Sequence, residues 1–178
     1  MSLTEHIRLL ACYGQWMNTR IYDAAGRLTP EELNRDRGAY FGSIMGTLNH
    51  LVVGDTIWLK RFACHPSSAS HLTEVLALPS PARLDQRLFE DFDALRGHRT
   101  WLDEKILDWS TQLSDNDLDD TLNYRSTMGV QSSRPYGSLV MHFFNHQTHH
   151  RGQLSTLLYQ AGADIGVTDL LALIPERH

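Results

Sequence analysis

The chain has 178 residues, 42% of them hydrophobic, enough to bury a core within one domain spanning 1–178. Sixteen basic residues against 21 acidic ones give a formal charge of -5 with no basic run, so nucleic acid and anionic membrane are not expected partners. Cys12 and Cys64 are too few for a disulfide scaffold, and no apolar run nears the ~20 residues of a membrane span; the chain reads as cytoplasmic, with both thiols reduced and largely buried.

The first helical pattern opens with Ser2 and Glu5 at the spacing of a capping box. Apolar or small residues then recur at Leu3, Ile7, Leu10, Gly14, Met17, Ile21, Ala24 and Leu28, in the alternating steps of three and four that make a bundle seam. Thr29-Pro30-Glu31-Glu32 has the N-cap, N1 proline and acidic first turn of a short connecting helix. A second long helix follows Gly42-Ser43 and runs from Ile44 to about Ala63. Its polar stripe is narrow (Asn49, Thr56, Lys60), so most of its surface should be covered. His50 lies about 100° from that stripe and is expected to face inward, and Asp55 falls on the apolar side, unusual for a carboxylate.

His65 to Pro79 reads as a loop. Ser80-Pro81 is expected to start a third helix, with Leu84, Leu88, Phe92, Leu95, Leu102, Ile106, Trp109 and Leu113 on its inner face and a solvated, charged outer face. Ser114-Asp115-Asn116-Asp117 is a cap-like turn, and the segment from Thr121 to Arg134, with Met128-Gly129, suits a small hairpin or an irregular loop. Pro135 begins a fourth long helix that should stop at about Ala161, before Gly162. Four amphipathic helices of similar length in one domain make an all-α four-helix bundle the expected fold class. Broad apolar faces on such bundles often pair, so a homodimer is the expectation.

The fourth helix carries the chemistry. His142, His146 and His150 fall within about 80° of one another on the face that should enter the core, with Gln153 on the same side and His149 rotated off it. An unpaired buried polar group costs about 1–3 kcal/mol, so several imidazoles together need a shared reason. A divalent cation supplies one: histidines at i, i+4 can hold a single ion, with His50 from the second helix as the best third ligand and a fourth position left open. Spacing alone does not choose between His142/His146 and His146/His150. Gln147 follows His146, so the glutamate base of an H-E-x-x-H protease helix is missing, and no G-x-S-x-G elbow or phosphate loop occurs. Gly152, costly inside a helix, suggests a close helix approach near the site.

Leu48-Asn49-His50, the run from His142 through His146-Gln147-Thr148-His149-His150-Arg151-Gly152-Gln153, and Thr168-Asp169-Leu170-Leu171 together resemble the DinB family, also called the DinB/YfiT-like metalloenzyme superfamily. The resemblance covers essentially the whole chain and implies an up-down-down-up bundle with a three-histidine metal site. Carried over by position, the ligands are His50, His146 and His150. His142 becomes a neighbour, and Asp55, His142 and Gln153 become candidates to orient the ligand imidazoles from behind, although for Asp55 a buried ion pair with Arg151 is the preferred reading. Zinc is the first metal implied and nickel the second. Members of the superfamily include transferases and isomerases that use a low-molecular-weight thiol, so a thiol-dependent transfer on a small-molecule substrate is expected. Metal-dependent hydrolysis and a non-catalytic metal-binding bundle are the alternatives.

Overall fold

The computed structural model describes residues 2–176. It is mostly helical, with one two-stranded sheet. Helix α1 (Leu3–Ala25) begins at the Ser2–Glu5 capping box, and α2 (Pro30–Asn34) begins at Thr29, whose hydroxyl accepts from the Glu32 amide. Helix α3 (Ile44–Phe62) starts at Ser43, whose Oγ accepts from Gly46 N at 3.0 Å. Two short helices, α4 (Pro66–Ala69) and α5 (Thr73–Ala77), break up the segment expected to be loop. Then come α6 (Phe92–Gln112), α7 (Asp115–Asp119), the antiparallel strands β1 (Thr121–Arg125) and β2 (Gln131–Pro135), and α8 (Tyr136–Gln160). The hairpin turns at Gly129 and α8 stops before Gly162, both at positive φ, where a side chain would be strained.

The third long helix starts at Phe92, well after Ser80-Pro81, where the sequence places its start. The physical reason lies in α3. A helix through this segment needs the Leu88 amide to reach the Leu84 carbonyl. Instead Leu88 N and Phe89 N both donate to Asn49 Oδ1, at 2.8 and 3.0 Å, and the Leu84 oxygen lies 2.8 Å from His50 Nδ1. Side chains of α3 have taken the backbone groups a helix would use. Asp91 then caps α6 by accepting from Ala94 N.

Helix α1 packs on α6 and α8, and α8 packs on α3. The core between them is aromatic at one end, where Phe62 stacks on Trp109 at 5.2 Å and meets Tyr136 and Phe143 edge-on. Each such fully buried side chain contributes about 1.5–3 kcal/mol by leaving water. The thiols of Cys12 and Cys64 are exposed, not buried as expected, because both residues sit on outward faces of their segments. No helix among the described residues is long and apolar enough to cross a membrane.

Candidate metal centre

Helices α3 and α8 run antiparallel, and their facing residues form a ladder. His50 meets His150 at 4.4 Å between ring centroids, Gly54 lies against His146, and Trp58 meets His142 at 5.0 Å. Each rung is four residues from the next on both helices, the spacing that keeps side chains on one face. His50 Nε2 lies 3.1 Å from His150 Nε2 and 3.3 Å from His146 Nε2. One nitrogen from each of the three residues falls within 4.8 Å of the others.

Hydrogen bonds on the far side of two rings decide which nitrogens face the centre as lone pairs. His50 Nδ1 lies 2.8 Å from the Leu84 carbonyl, which only accepts, so the proton is on Nδ1 and Nε2 is bare. His150 Nδ1 donates in the same way to Gln153 Oε1 at 2.8 Å, while the Gln153 amide nitrogen turns to His149 Nε2 at 3.1 Å. Two bare nitrogens therefore face each other at 3.1 Å with no proton between them. Burial depresses the pKa of His50 and His150, and it takes His146 down to about 3, with the neighbouring imidazoles adding to the effect. All three rings stay neutral at pH 7, and neutral imidazole is the metal-binding form.

The donor set fits a divalent cation. Two nitrogens each about 2.0–2.1 Å from a tetrahedral zinc would sit about 3.3 Å apart, and about 2.9 Å apart at right angles around the ion. The Nε2 separations of 3.1 and 3.3 Å lie in that range. Three imidazole nitrogens suit zinc, nickel, copper or ferrous iron, and geometry among them does not choose.

Around this centre the chain is shaped by residues that carry no metal chemistry. An added Cβ on Gly54 would lie 2.8 Å from His146 Cε1, so only glycine lets α3 and α8 close on that ring. The close approach expected of Gly152 does not occur there: Gly152 is exposed and a Cβ would meet nothing within 4 Å. Phe41 stacks on His50 at 3.7 Å and 17° and meets His150 edge-on, covering one side of the site. Its loop reaches that place because Gly46, where a Cβ would collide with the Phe41 carbonyl, lets the chain fold back over the start of α3.

Asp55 and Gln147, the next residue on each helix after Gly54 and His146, face a buried charge network. Asp55 Oδ2 accepts from Arg99 Nη1 at 2.5 Å and from Gln147 Nε2 at 2.9 Å. Arg99 also pairs with Asp103 at 2.8 Å, and Asp103 accepts from Asn18. The sequence offered Arg151 as partner for Asp55; the structure supplies Arg99, which lies on the inner seam of α6 between Leu95 and Leu102. Arg151 lies instead over the Tyr13 ring at 5.4 Å. Among the described residues no imidazole hydrogen-bonds Asp55, so of the three residues proposed to orient ligands only Gln153 touches one by hydrogen bond. His142 is exposed and meets Trp58, with its ring 6.3 Å from that of His146.

Several participants escaped sequence reasoning. Gly54 stands four residues after His50 in an apolar helix, which was the available signal for close approach. Asn49 was read as part of a polar stripe and of the family motif, yet it is buried and holds the Leu88 and Phe89 amides. Phe41 gave no signal, because what both residues do depends on segments distant in the chain.

The family model for the DinB family matches residues 1–177. The chain belongs to the DinB family. A curated relative, Protein DinB of Bacillus subtilis (strain 168), is 25% identical over 157 residues, covering 88% of this chain and 87% of the relative. An uncharacterized protein of the same organism, YrdA, is 38% identical over a shorter stretch of 55 residues, 31% of this chain and 30% of that protein. No solved structure matches the chain. Within this DinB family member, the three clustered histidines are compatible with metal binding.

Proposed function

We propose that this DinB family protein is a metal-dependent enzyme that holds one divalent cation, zinc or nickel, through His50, His146 and His150. The observation that carries the reading is the convergence of bare Nε2 atoms from two helices. Such an arrangement costs free energy through lone-pair repulsion and burial unless a cation occupies the centre. A cation held there would leave a fourth position open and would lower the pKa of a water or thiol bound to it toward neutrality.

The chain's own groups prepare the site for this. The Leu84 carbonyl and Gln153 Oε1 hold the Nδ1 protons of His50 and His150, fixing tautomer and ring orientation. Phe41 keeps water from one side of the rings. The narrower reading, a thiol-dependent transferase or isomerase with a low-molecular-weight thiol as co-substrate, rests on the resemblance to superfamily members of that kind.

The pairwise registers support an up-down-down-up bundle. Gly14 meets Gln147 and Leu3 meets Gly137, as expected of parallel α1 and α8; Asn18 meets Asp103 and Arg8 meets the Thr111 carbonyl, as expected of antiparallel α1 and α6. The deciding experiment is elemental analysis of the purified protein, followed by a screen of small thiols against electrophiles. One equivalent of zinc or nickel and thiol-dependent turnover is the expected result. Turnover that needs metal but no thiol would assign hydrolysis instead, and protein without bound metal would overturn the reading.

A further inference from the structure

Beyond the Trp58–His142 rung, the ladder opens into a cavity of about 540 Å³ between α3, the hairpin and the start of α8. Trp58, Tyr124, Arg134, Ser138, Leu139 and His142 are among the residues lining it. The Arg61 guanidinium lies over both aromatic rings, 4.5 Å from Trp58 and 5.0 Å from Tyr124. A second cavity of about 480 Å³ adjoins it across Tyr124 and carries Arg125. Among the described residues no carboxylate lines either one.

The charge around these cavities is out of character for the chain. Its formal charge is -5. Among the described residues, Arg61, Arg125 and Arg134 are the arginines with neither an ion pair nor a hydrogen bond. The others are engaged, for example Arg83 by Asp85, Arg87 by Glu90, Arg99 by Asp55, and Arg20 by the Ile165 carbonyl. Arg61 and Arg134 stand beside the two aromatic rings, whereas Arg125, next to Tyr124 on β1, leaves the other side of the hairpin. Guanidinium forks bind carboxylates in bidentate fashion, and stacking rings receive a flat or apolar body.

We infer that this cavity binds a small organic anion, a carboxylate held by Arg134 and Arg61 with its body on Trp58 and Tyr124. The inference rests on the proposed metal centre for what the bound molecule does, because His142 places the cavity one rung from His146. It does not rest on the metal for binding itself. A carboxylate could belong to the small-molecule substrate or to a thiol co-substrate of the glutathione type.

The test uses the full chain, stripped of metal by a chelator and then dialysed. Titrations with benzoate, its neutral counterpart benzamide, and S-methylglutathione are followed by the tryptophan and histidine resonances in NMR spectra. Benzoate or S-methylglutathione should shift the Trp58 and His142 signals with at least tenfold higher affinity than benzamide. Arg134→Gln and Arg61→Gln should each weaken that binding at least fivefold while leaving metal stoichiometry of the reloaded protein unchanged. Tighter binding of S-methylglutathione assigns the face to a thiol co-substrate, and tighter binding of benzoate to the electrophilic substrate. Equal affinity for benzoate and benzamide, or undiminished binding in both arginine variants, overturns the inference. His146→Ala separates the two readings, since it should lose metal yet still bind the carboxylate.

Discussion

Gly54 and His146 touch across the α3–α8 contact so closely that a single methyl group on the glycine would stand 2.8 Å from the imidazole Cε1. The ring can reach its place beside His50 and His150 because that methyl is missing. Gly54→Ala ought to improve helix propensity by about 0.8–1 kcal/mol in isolation. Here it should cost metal affinity at least tenfold by displacing His146, while helical circular dichroism is kept. Titration of chelated protein with zinc measures this, and an unchanged dissociation constant would show that the glycine sets no constraint on the ligand.

Removing one ligand and removing its neighbour should have different consequences. His146→Ala is expected to abolish stoichiometric metal binding with most helical signal intact. His142→Ala should keep near-native metal content, because its ring faces Trp58 instead of the three-nitrogen cluster. Elemental analysis of both variants checks the pair; equal loss of metal would bring His142 into the ligand set.

Asp55→Ala strips Arg99 of a partner inside the protein, where both side chains are almost fully covered. Breaking a buried ion pair from one side costs about 3–5 kcal/mol. Thermal and urea unfolding should show destabilisation of that order, together with weaker metal binding, since Gln147 loses the acceptor that fixes α8 beside α3. Simultaneous replacement of Asp55 and Arg99 by apolar residues should recover much of the stability.

Acid sensitivity of the metal-free protein has a defined direction. In the unfolded chain His146 takes up a proton near its ordinary value of about 6.5. In the folded, metal-free protein burial and the neighbouring rings hold it down to about 3. The unfolded state thus binds more protons between those limits, so the contribution of this group to stability is complete above pH 6.5 and falls as the pH drops toward 3. Chemical denaturation across that range should show the decline, and His146→Phe should flatten it.

Much of this protein could be read along the chain. Helix ends at Ser2, Thr29, Ser43 and Gly162 are local events, in which a side chain satisfies a nearby amide or a glycine accepts positive φ, so their signals lie within a few residues. The ladder residues His50, His142, His146 and His150 were visible for the same reason, as helical periodicity turns spacing into a shared face. The segment from Leu84 to Phe89 was misread as helix because its fate is decided by Asn49 and His50, some 35–40 residues earlier.

Local pattern determined which faces carry imidazoles and where helices begin and end, but it left two histidine pairs open, and the resemblance to the DinB family singled out His50, His146 and His150. Tertiary packing alone decided that Gly54 and not Gly152 admits the close approach, that Asp55 meets Arg99, and that Arg61 and Arg134 are left without ion-pair partners beside an aromatic cavity. Those outcomes depend on distances between segments far apart in the chain, and no short-range regularity encodes which buried charge or backbone group another helix will claim.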